Sequence, residues 1–295
     1  MRDNYTNFFK TKDNQNIFYS TNFKLDEEIN TNVLIFNYGL VCSNHHWQEQ
    51  IKFFDDLGYK ILIHDYRGHY QSTGKDKVEL ITFEQISRDL FSLLNHLKIK
   101  DSIFLGHSMG VNICLEFAKR HTEICKAMVL ISGTTVPVYD IMFNSNIVDQ
   151  IQPILKKLLE SYPSALSTFW KYGGWNPIVK KLIHKGGFNI EEVSEEFIEI
   201  YLNKVGELGP EIFFQLLEQM NNHSILANIE TISTPSLIVG GDNDKVIPNY
   251  LQRFLHKSMK ESELYIVRNG SHVPQVDFPL LVNERLKTFI DKVII

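Results

Sequence analysis

The stretch SIFLGHSMGVNICLEF, residues Ser102 to Phe117, decides the fold of this chain. Apolar, strand-favouring residues run into the sequence GHSMG, and a helical pattern of apolar residues follows at once. A serine between two glycines at such a junction is typical either of a plain tight turn or of a turn that displays a nucleophile. Glycines leave room for the close backbone approach that the second kind of turn requires. The strand before and the helix after favour the nucleophile interpretation for Ser108.

Short apolar runs alternate with longer amphipathic runs on both sides of this stretch, which predicts an α/β domain with a mostly parallel sheet. The predicted strands, apolar at nearly every residue and therefore buried on both faces, are Val33–Phe36, Lys60–His64, Ser102–Leu105, Ala127–Ile131, Ser236–Val239 and Glu263–Val267. The predicted helices between them are Trp47–Leu57, Phe83–Leu97, Met109–His121, Tyr250–His256 and Leu280–Asp291. Two N-terminal segments, Phe8–Lys10 and Asn16–Ser20, are candidates for an antiparallel hairpin at one edge.

The alternation stops between residues 134 and 230, where no strand is predicted. Helical patterns cover Ile151–Leu159, Glu191–Val205 and Pro210–Met220, and the aromatic, glycine-bearing segment FWKYGGWNP covers Phe169–Pro177. This block is too long for a loop. We therefore interpret residues 134–230 as a helical cap subdomain, and residues 1–133 and 231–295 as the α/β core.

A serine hydroxyl is a poor nucleophile until a base removes its proton. In an open parallel sheet, functional side chains lie beyond the carboxyl ends of the strands. His272 follows the last predicted strand on a loop, which is the placement that a base requires. Asp242 and Asp244 both follow an earlier predicted strand, and either could instead cap a helix. Asp244 lies further into the loop and is favoured as the carboxylate that orients His272, with Asp242 as the alternative.

The chain order of serine, aspartate and histidine, together with four motifs, resembles the α/β-hydrolase superfamily over residues 33–131 and 232–275. The motifs are GHSMG at Gly106–Gly110, DYRGHYQS at Asp65–Ser72, GDNDKVIP at Gly241–Pro248 and GSH at Gly270–His272. This resemblance implies an α/β-hydrolase fold with an inserted helical cap and a serine nucleophile. In such families the acid follows a glycine by three positions and precedes a proline by four, which supports Asp244. The DYRGHYQS segment also looks like the monoacylglycerol lipase and lysophospholipase branch.

One segment departs from the pattern of the superfamily. Relatives commonly carry His-Gly after the first parallel strand, and this chain carries Tyr38-Gly39-Leu40 there. An oxyanion is bound at this position by a backbone N–H, so Leu40 can still serve, with the N–H of Met109 as the second donor. Tyr38 is a candidate substrate contact. The altered loop also gives weight to a different class of function, a hydrolase-fold ligand sensor with little turnover.

The predicted cap carries a heavy load of aromatic side chains, most of which are expected to form its own core. Trp170, Trp175 and Phe213 are candidates for lining an apolar pocket over Ser108. The cap has no Arg or Lys cluster that would bind a phosphate or a polycarboxylate. The expected substrate is therefore a small-molecule or lipid ester of an apolar acyl group, cleaved through an acyl-enzyme by a carboxylesterase or monoacylglycerol lipase-like serine hydrolase. Carbon–carbon bond hydrolysis or haloperoxidase-like chemistry on the same triad is the alternative.

The composition disfavours several other classes. The chain has 295 residues, 43% hydrophobic and 22% charged, and a net charge of −5, which argues against a nucleic-acid partner. Three cysteines without CxxC spacing, no apolar leader and no bilayer-length apolar run predict a cytoplasmic protein without stable membrane insertion. The pair His45-His46 has no third ligand at a suitable spacing, so neither a metal nor another cofactor is expected. The sequence does not indicate an oligomeric state.

Overall fold

The computed structural model describes residues 1–24, 29, 31–72, 81–173, 187–189 and 191–294. Its centre is a sheet of eight strands in the order β1-β2-β4-β3-β5-β6-β7-β8. The strands are β1 (Tyr5–Lys10), β2 (Asn16–Thr21), β3 (Val33–Asn37), β4 (Lys60–His64), β5 (Ser102–His107), β6 (Cys125–Ile131), β7 (Ser236–Gly241) and β8 (Ser262–Val267). Strands β3 to β8 are parallel to one another, while β2 pairs antiparallel with both β1 and β4. The predicted parallel sheet and its N-terminal hairpin are both confirmed.

Helices connect the strands and cover the sheet. They are α1 (Gln48–Asp56), α2 (Phe83–His96), α3 (Met109–Ala118), α4 (Ile147–Ser161), α5 (Pro163–Gly173), α6 (Glu195–Leu208), α7 (Pro210–Asn222), α8 (Tyr250–Ser258), α9 (Pro274–Asp277) and α10 (Pro279–Ile294). The predicted helices of the core correspond to α1, α2, α3, α8 and α10. No helix in the described part of the chain is both long enough and apolar enough to cross a membrane.

Alternate residues of the parallel strands β3 to β8 enter two different hydrophobic clusters, because side chains of a strand point to opposite faces. On β3, Leu34 and Phe36 join one cluster, to which α1 contributes Phe54 and α10 contributes Phe289. Val33 and Ile35 join the other, in which α2 contributes Leu90, Leu93 and Leu94. Both faces of the strands are thus buried, which explains why the strands appear in the sequence as continuous apolar runs.

The block between β6 and β7 contains α4 to α7, and its described residues form no strand. Helix α6 begins at Glu195, later than the predicted start at Glu191, because the hydroxyl of Ser194 accepts a hydrogen bond from Phe197 N at 3.2 Å and caps the helix there. Helix α5 was not predicted. Trp170 of α5 donates from Nε1 to the carbonyl oxygen of Val205 at 2.9 Å, and this hydrogen bond joins α5 to α6. The division at residues 133/134 and 230/231 stays a prediction.

Candidate active site

Ser108 occupies the turn between β5 and α3 with φ 53° and ψ −119°, a left-handed conformation that side chains rarely adopt. Such a backbone costs on the order of 1–3 kcal/mol and persists only where the surroundings impose it. The N–H of Ser108 donates to the carbonyl oxygen of Ile131 on β6 at 2.8 Å. Gly110 is required because a Cβ at that position would lie 2.2 Å from the carbonyl oxygen of Asn37. The turn therefore presses the start of α3 against β3 and holds up the serine hydroxyl.

The structure brings the three side chains singled out in the sequence into a hydrogen-bonded line. Nε2 of His272 is 3.0 Å from Oγ of Ser108, and Nδ1 of His272 is 2.9 Å from Oδ2 of Asp244. The second carboxylate oxygen of Asp244 accepts the N–H groups of Val246 and Ile247, each at 2.9 Å. The Asp244 side chain is fully buried, whereas the alternative, Asp242, is exposed. Asp244 is thus the acid that contacts His272.

Two residues that sequence reasoning did not assign to the site hold the His272 loop in place. Nε2 of His107 donates to the carbonyl oxygen of His272 at 2.9 Å, and burial lowers the pKa of His107 well below its ordinary value. Asp277 accepts from the N–H of Ser271 at 2.6 Å and from its hydroxyl at 3.1 Å, and burial raises the pKa of this carboxyl. An acid inside the mostly apolar segment VPQVDFP was the available signal for Asp277.

The loop after β3 lies directly against Ser108. A Cβ on Gly39 would be 2.9 Å from Cβ of Ser108 and 3.1 Å from Nδ1 of His107, so only glycine fits there. Leu40 follows immediately. Met109 is the first residue of α3, and the first N–H groups of a helix have no intrahelical acceptor. These N–H groups and the positive end of the helix dipole favour negative charge beside Ser108.

Tyr38 is buried beneath this loop instead of facing a substrate. Its hydroxyl accepts from the N–H of Tyr66 at 3.2 Å and lies 3.4 Å from Oδ1 of Asp65, to which it donates. The hydroxyl of Tyr66 in turn donates to the carbonyl oxygen of Tyr38 at 2.9 Å. The residue that departs from the superfamily pattern therefore supports the loop next to Leu40, which corrects the expectation of a direct substrate contact.

The DYRGHYQS segment supplies the rest of this support. Asp65 accepts from Nδ2 of Asn44 at 3.2 Å and from the N–H of Gln71 at 3.1 Å, and burial raises its pKa to about 6. The hydroxyl of Tyr70 donates to the carbonyl oxygen of Cys42 at 2.6 Å. The sequence indicated this motif only as a resemblance, because partners such as Asn44 and Cys42 lie 21 and 28 residues away in the chain.

Ser108 is 8% exposed, and the side chain of His272 is 11% exposed. Helix α6 packs on Val273, directly after His272, through an apolar cluster. The other buried members of this cluster are Phe188, Val193, Phe197, Ile198 and Leu202. His46 meets the ring of Phe197 at a centroid distance of 4.9 Å. In the described residues no group of three or more His, Cys, Asp or Glu side chains could hold a metal ion.

Two of the three aromatic residues proposed for the pocket, Trp170 and Phe213, pack against each other with ring centroids 4.8 Å apart where α5 meets α7. Both are half-buried, and Phe213 also packs against the hydrophobic cluster that contains Met109. Their contact with a substrate stays a prediction. Trp175 lies outside the described residues. Three further aromatic residues lie beside Val273 and His46, and the sequence did not distinguish them from the others: Phe188, Phe197 and Tyr201.

Comparison with known proteins yields several relatives. The protein ABHD8 of Mus musculus is 23% identical over 262 residues, which are 88% of this chain and 55% of that protein, so the chain spans about half the length of this relative. The esterase EaEST of Exiguobacterium antarcticum superposes with a TM-score of 0.78 at 17% identity, covering 97% of this chain and 100% of the esterase. A bromoperoxidase from Bacillus anthracis gives a TM-score of 0.75 at 19% identity, with coverages of 97% and 100%.

These structural similarities show a shared fold. The family model for the alpha/beta hydrolase fold matches residues 32–279, which include all three residues of the hydrogen-bonded line. The fold, the turn at Ser108 and this match together show that the chain belongs to the α/β-hydrolase fold family.

Proposed function

We propose that this chain is a serine hydrolase that cleaves carboxylic esters of apolar acyl groups through an acyl-enzyme. The observation that carries the proposal is the line from Ser108 through His272 to Asp244, with contacts of 3.0 and 2.9 Å, beside the loop at Gly39. The nucleophile–base distance lies within the range for proton transfer. The fold alone would not justify assigning this activity, because one fold can carry many different functions.

The reaction follows from these positions. Oγ of Ser108 attacks the ester carbonyl carbon while Nε2 of His272 takes the hydroxyl proton, and Asp244 stabilises the imidazolium that forms. The N–H groups of Leu40 and Met109 bind the oxyanion of the tetrahedral intermediate. The C–O bond to the alcohol then breaks, and His272 returns the proton to the leaving oxygen. Water, activated by the same histidine, releases the acid and restores the serine.

The surroundings of the triad support an apolar acyl group. The side chains that α6 places over the His272 loop are Phe197, Ile198 and Leu202, and they form one apolar cluster with Val273. Burying a chain of CH₂ groups on such a surface contributes about 0.8 kcal/mol for each group. A charged acyl group would have no matching partner within this cluster.

The test is the hydrolysis of p-nitrophenyl esters from acetate to palmitate by the wild type, Ser108→Ala and Ser92→Ala. Ser92 is a half-buried helical serine whose hydroxyl donates to the carbonyl oxygen of Arg88, so its variant controls for the substitution itself. We expect activity in the wild type and Ser92→Ala, and a loss of about 10⁴-fold or more in Ser108→Ala. Equal activity in all three proteins would contradict the proposal.

A second candidate is haloperoxidase-like chemistry on the same residues, in which peroxide takes the place of water on the acyl-enzyme. The similarity to the bromoperoxidase from Bacillus anthracis favours including it. Halogenation of monochlorodimedone in the presence of acetate, hydrogen peroxide and bromide would measure it. Turnover at least comparable to ester hydrolysis would make this the main activity. Stoichiometric ligand binding without product would instead favour a sensor.

A further inference from the structure

Three separate segments of the chain meet at the side chain of Asn112, four residues after Ser108 on α3. Nδ2 of Asn112 is 3.1 Å from the carbonyl oxygen of Thr134 and 3.1 Å from Nδ1 of His223. Thr134 lies shortly after β6, at the beginning of the helical block. His223 directly follows α7, the last α-helix of the block. Asn112 itself is 2% exposed. One buried amide thus contacts both ends of the block that covers the active site.

The chemistry of the partners fixes how this amide is oriented. An Asn side chain has two N–H donors on one nitrogen, one for each of the two acceptors. The carbonyl of Thr134 can only accept, so the NH₂ group must face it. Nδ1 of His223 then accepts as well, and its Nε2–H donates to Oε2 of Glu116 at 2.9 Å. Burial, reinforced by nearby cationic side chains, lowers the pKa of His223 to about 4, which keeps the ring in this neutral form at pH 7.

The contacts continue along the helix that starts at the nucleophile. Glu116 is buried on α3 and pairs with Arg120, which follows the end of that helix. The His223 ring meets the ring of Phe83 edge-on at 5.1 Å. The two ends of the block also contact each other, since the N–H of Tyr139 donates to Oδ1 of Asn221 at 3.1 Å. Loss of the Asn112 amide would therefore release a junction where both ends converge.

We propose that Asn112 is a positioning residue that fastens both ends of the helical block 134–230 to the helix of the nucleophile, and thereby sets how well long acyl chains are bound. The substrate part of this inference rests on the proposed function. A short acyl group takes little binding energy from the helices above the serine, whereas a long one takes most of it there. Loosening the junction should therefore cost more as the chain lengthens.

The experiment compares the wild type with Asn112→Ala, His223→Gln and Asn222→Ala. Glutamine can still accept from Asn112 and donate to Glu116, so His223→Gln is the conservative variant. Asn222 is next to the junction, and its side-chain oxygen accepts from Asn221, so Asn222→Ala is the matched control. Amide hydrogen exchange of residues 134–146 and 210–222 reports the junction without any substrate. The ratio of kcat/KM for p-nitrophenyl palmitate to that for the acetate reports acyl binding.

In Asn112→Ala we expect exchange of the two segments about tenfold faster than in the wild type, the factor for one or two hydrogen bonds, with the central strands unchanged. The palmitate-to-acetate ratio should fall by a similar factor of about ten. His223→Gln and Asn222→Ala should stay within about threefold of the wild type in both measurements. The rate of fluorophosphonate labelling at Ser108 should not change, because that small probe does not depend on the helices above.

Three results would overturn the inference: wild-type exchange in Asn112→Ala, equally faster exchange throughout the chain, or selectively faster exchange with an unchanged ratio. If Asn112→Ala does not fold, His223→Ala removes one of the two contacts, and the same criteria apply to it. Failure of the proposed function looks different, since the wild type would then neither hydrolyse the esters nor take up the fluorophosphonate. Hydrogen exchange would still decide whether Asn112 fastens the junction.

Discussion

The variant Tyr66→Phe tests whether the pair of Tyr38 and Tyr66 holds the loop next to Ser108. It removes one hydroxyl that contacts no substrate. The hydroxyl of Tyr66 donates to the carbonyl oxygen of Tyr38 at 2.9 Å, and both residues are buried. A buried carbonyl left without its donor costs about 1–3 kcal/mol. Loss of an entire oxyanion donor would cost about 10²–10³ in kcat, which sets the upper limit. Because Gly39 and Leu40 keep their other contacts, we expect kcat to fall by about tenfold.

The assay is steady-state hydrolysis of p-nitrophenyl butyrate, with urea unfolding measured in parallel. KM should stay within about twofold of the wild-type value, because the lost contact acts on the developing oxyanion and touches no substrate. Tyr59→Phe is the control, since the hydroxyl of Tyr59 bonds Asp291 on α10, outside the loop supported by Tyr66. The reasoning is refuted if Tyr66→Phe loses stability but keeps the kcat of Tyr59→Phe, or if only KM changes.

Three further outcomes follow from named contacts. Asp244→Asn keeps the hydrogen bonds from Val246 and Ile247 but places an N–H donor opposite His272, so kcat should fall by about 10⁴-fold while the Tm changes little. A fall in kcat no larger than that of Asp242→Asn, a substitution at an exposed residue, would contradict this. Gly39→Ala would place a Cβ 2.9 Å from that of Ser108 and should lower kcat/KM by about 10² or more. Gly58→Ala is the control and should have a small effect, because the space around Gly58 is open although its φ is positive. Similar losses in the two variants would argue against close packing of the loop. Burial raises the pKa of Asp65 from 3.8 to about 6, so the folded state holds the carboxyl proton more tightly than the unfolded state does. Between pH 4 and pH 7 the wild type should therefore lose up to about 3 kcal/mol of unfolding free energy relative to Asp65→Asn. A difference in urea unfolding between the two proteins that does not vary with pH would refute this.

Most of the core could be predicted from the sequence because it depends on local patterns. Continuous apolar runs such as Val33–Phe36 mark strands that are buried on both faces, and a helical pattern begins directly after Ser108. The ends of parallel strands meet at one edge of the sheet. For that reason the loop positions of Asp244 and His272 were sufficient to propose that they meet.

The parts that could not be predicted depend on long-range contacts. Nothing near Tyr38 in the sequence shows that its partner is Tyr66, and His107 contacts a carbonyl 165 residues away. The aromatic residues of the helical block illustrate the same limit. The sequence does not show that Trp170 packs on Phe213, whereas Phe197 packs with Val273 over the His272 loop. The cytoplasmic location expected from the composition stays a prediction.

The central claim is that Ser108 is the nucleophile, and intact-protein mass spectrometry after fluorophosphonate treatment tests it most directly. The wild type should gain one adduct, which peptide mapping places on Ser108. Ser108→Ala should gain none, and Asp244→Asn should react far more slowly although its serine is present. An adduct that persists in Ser108→Ala, or no adduct on a folded wild type, would contradict the account.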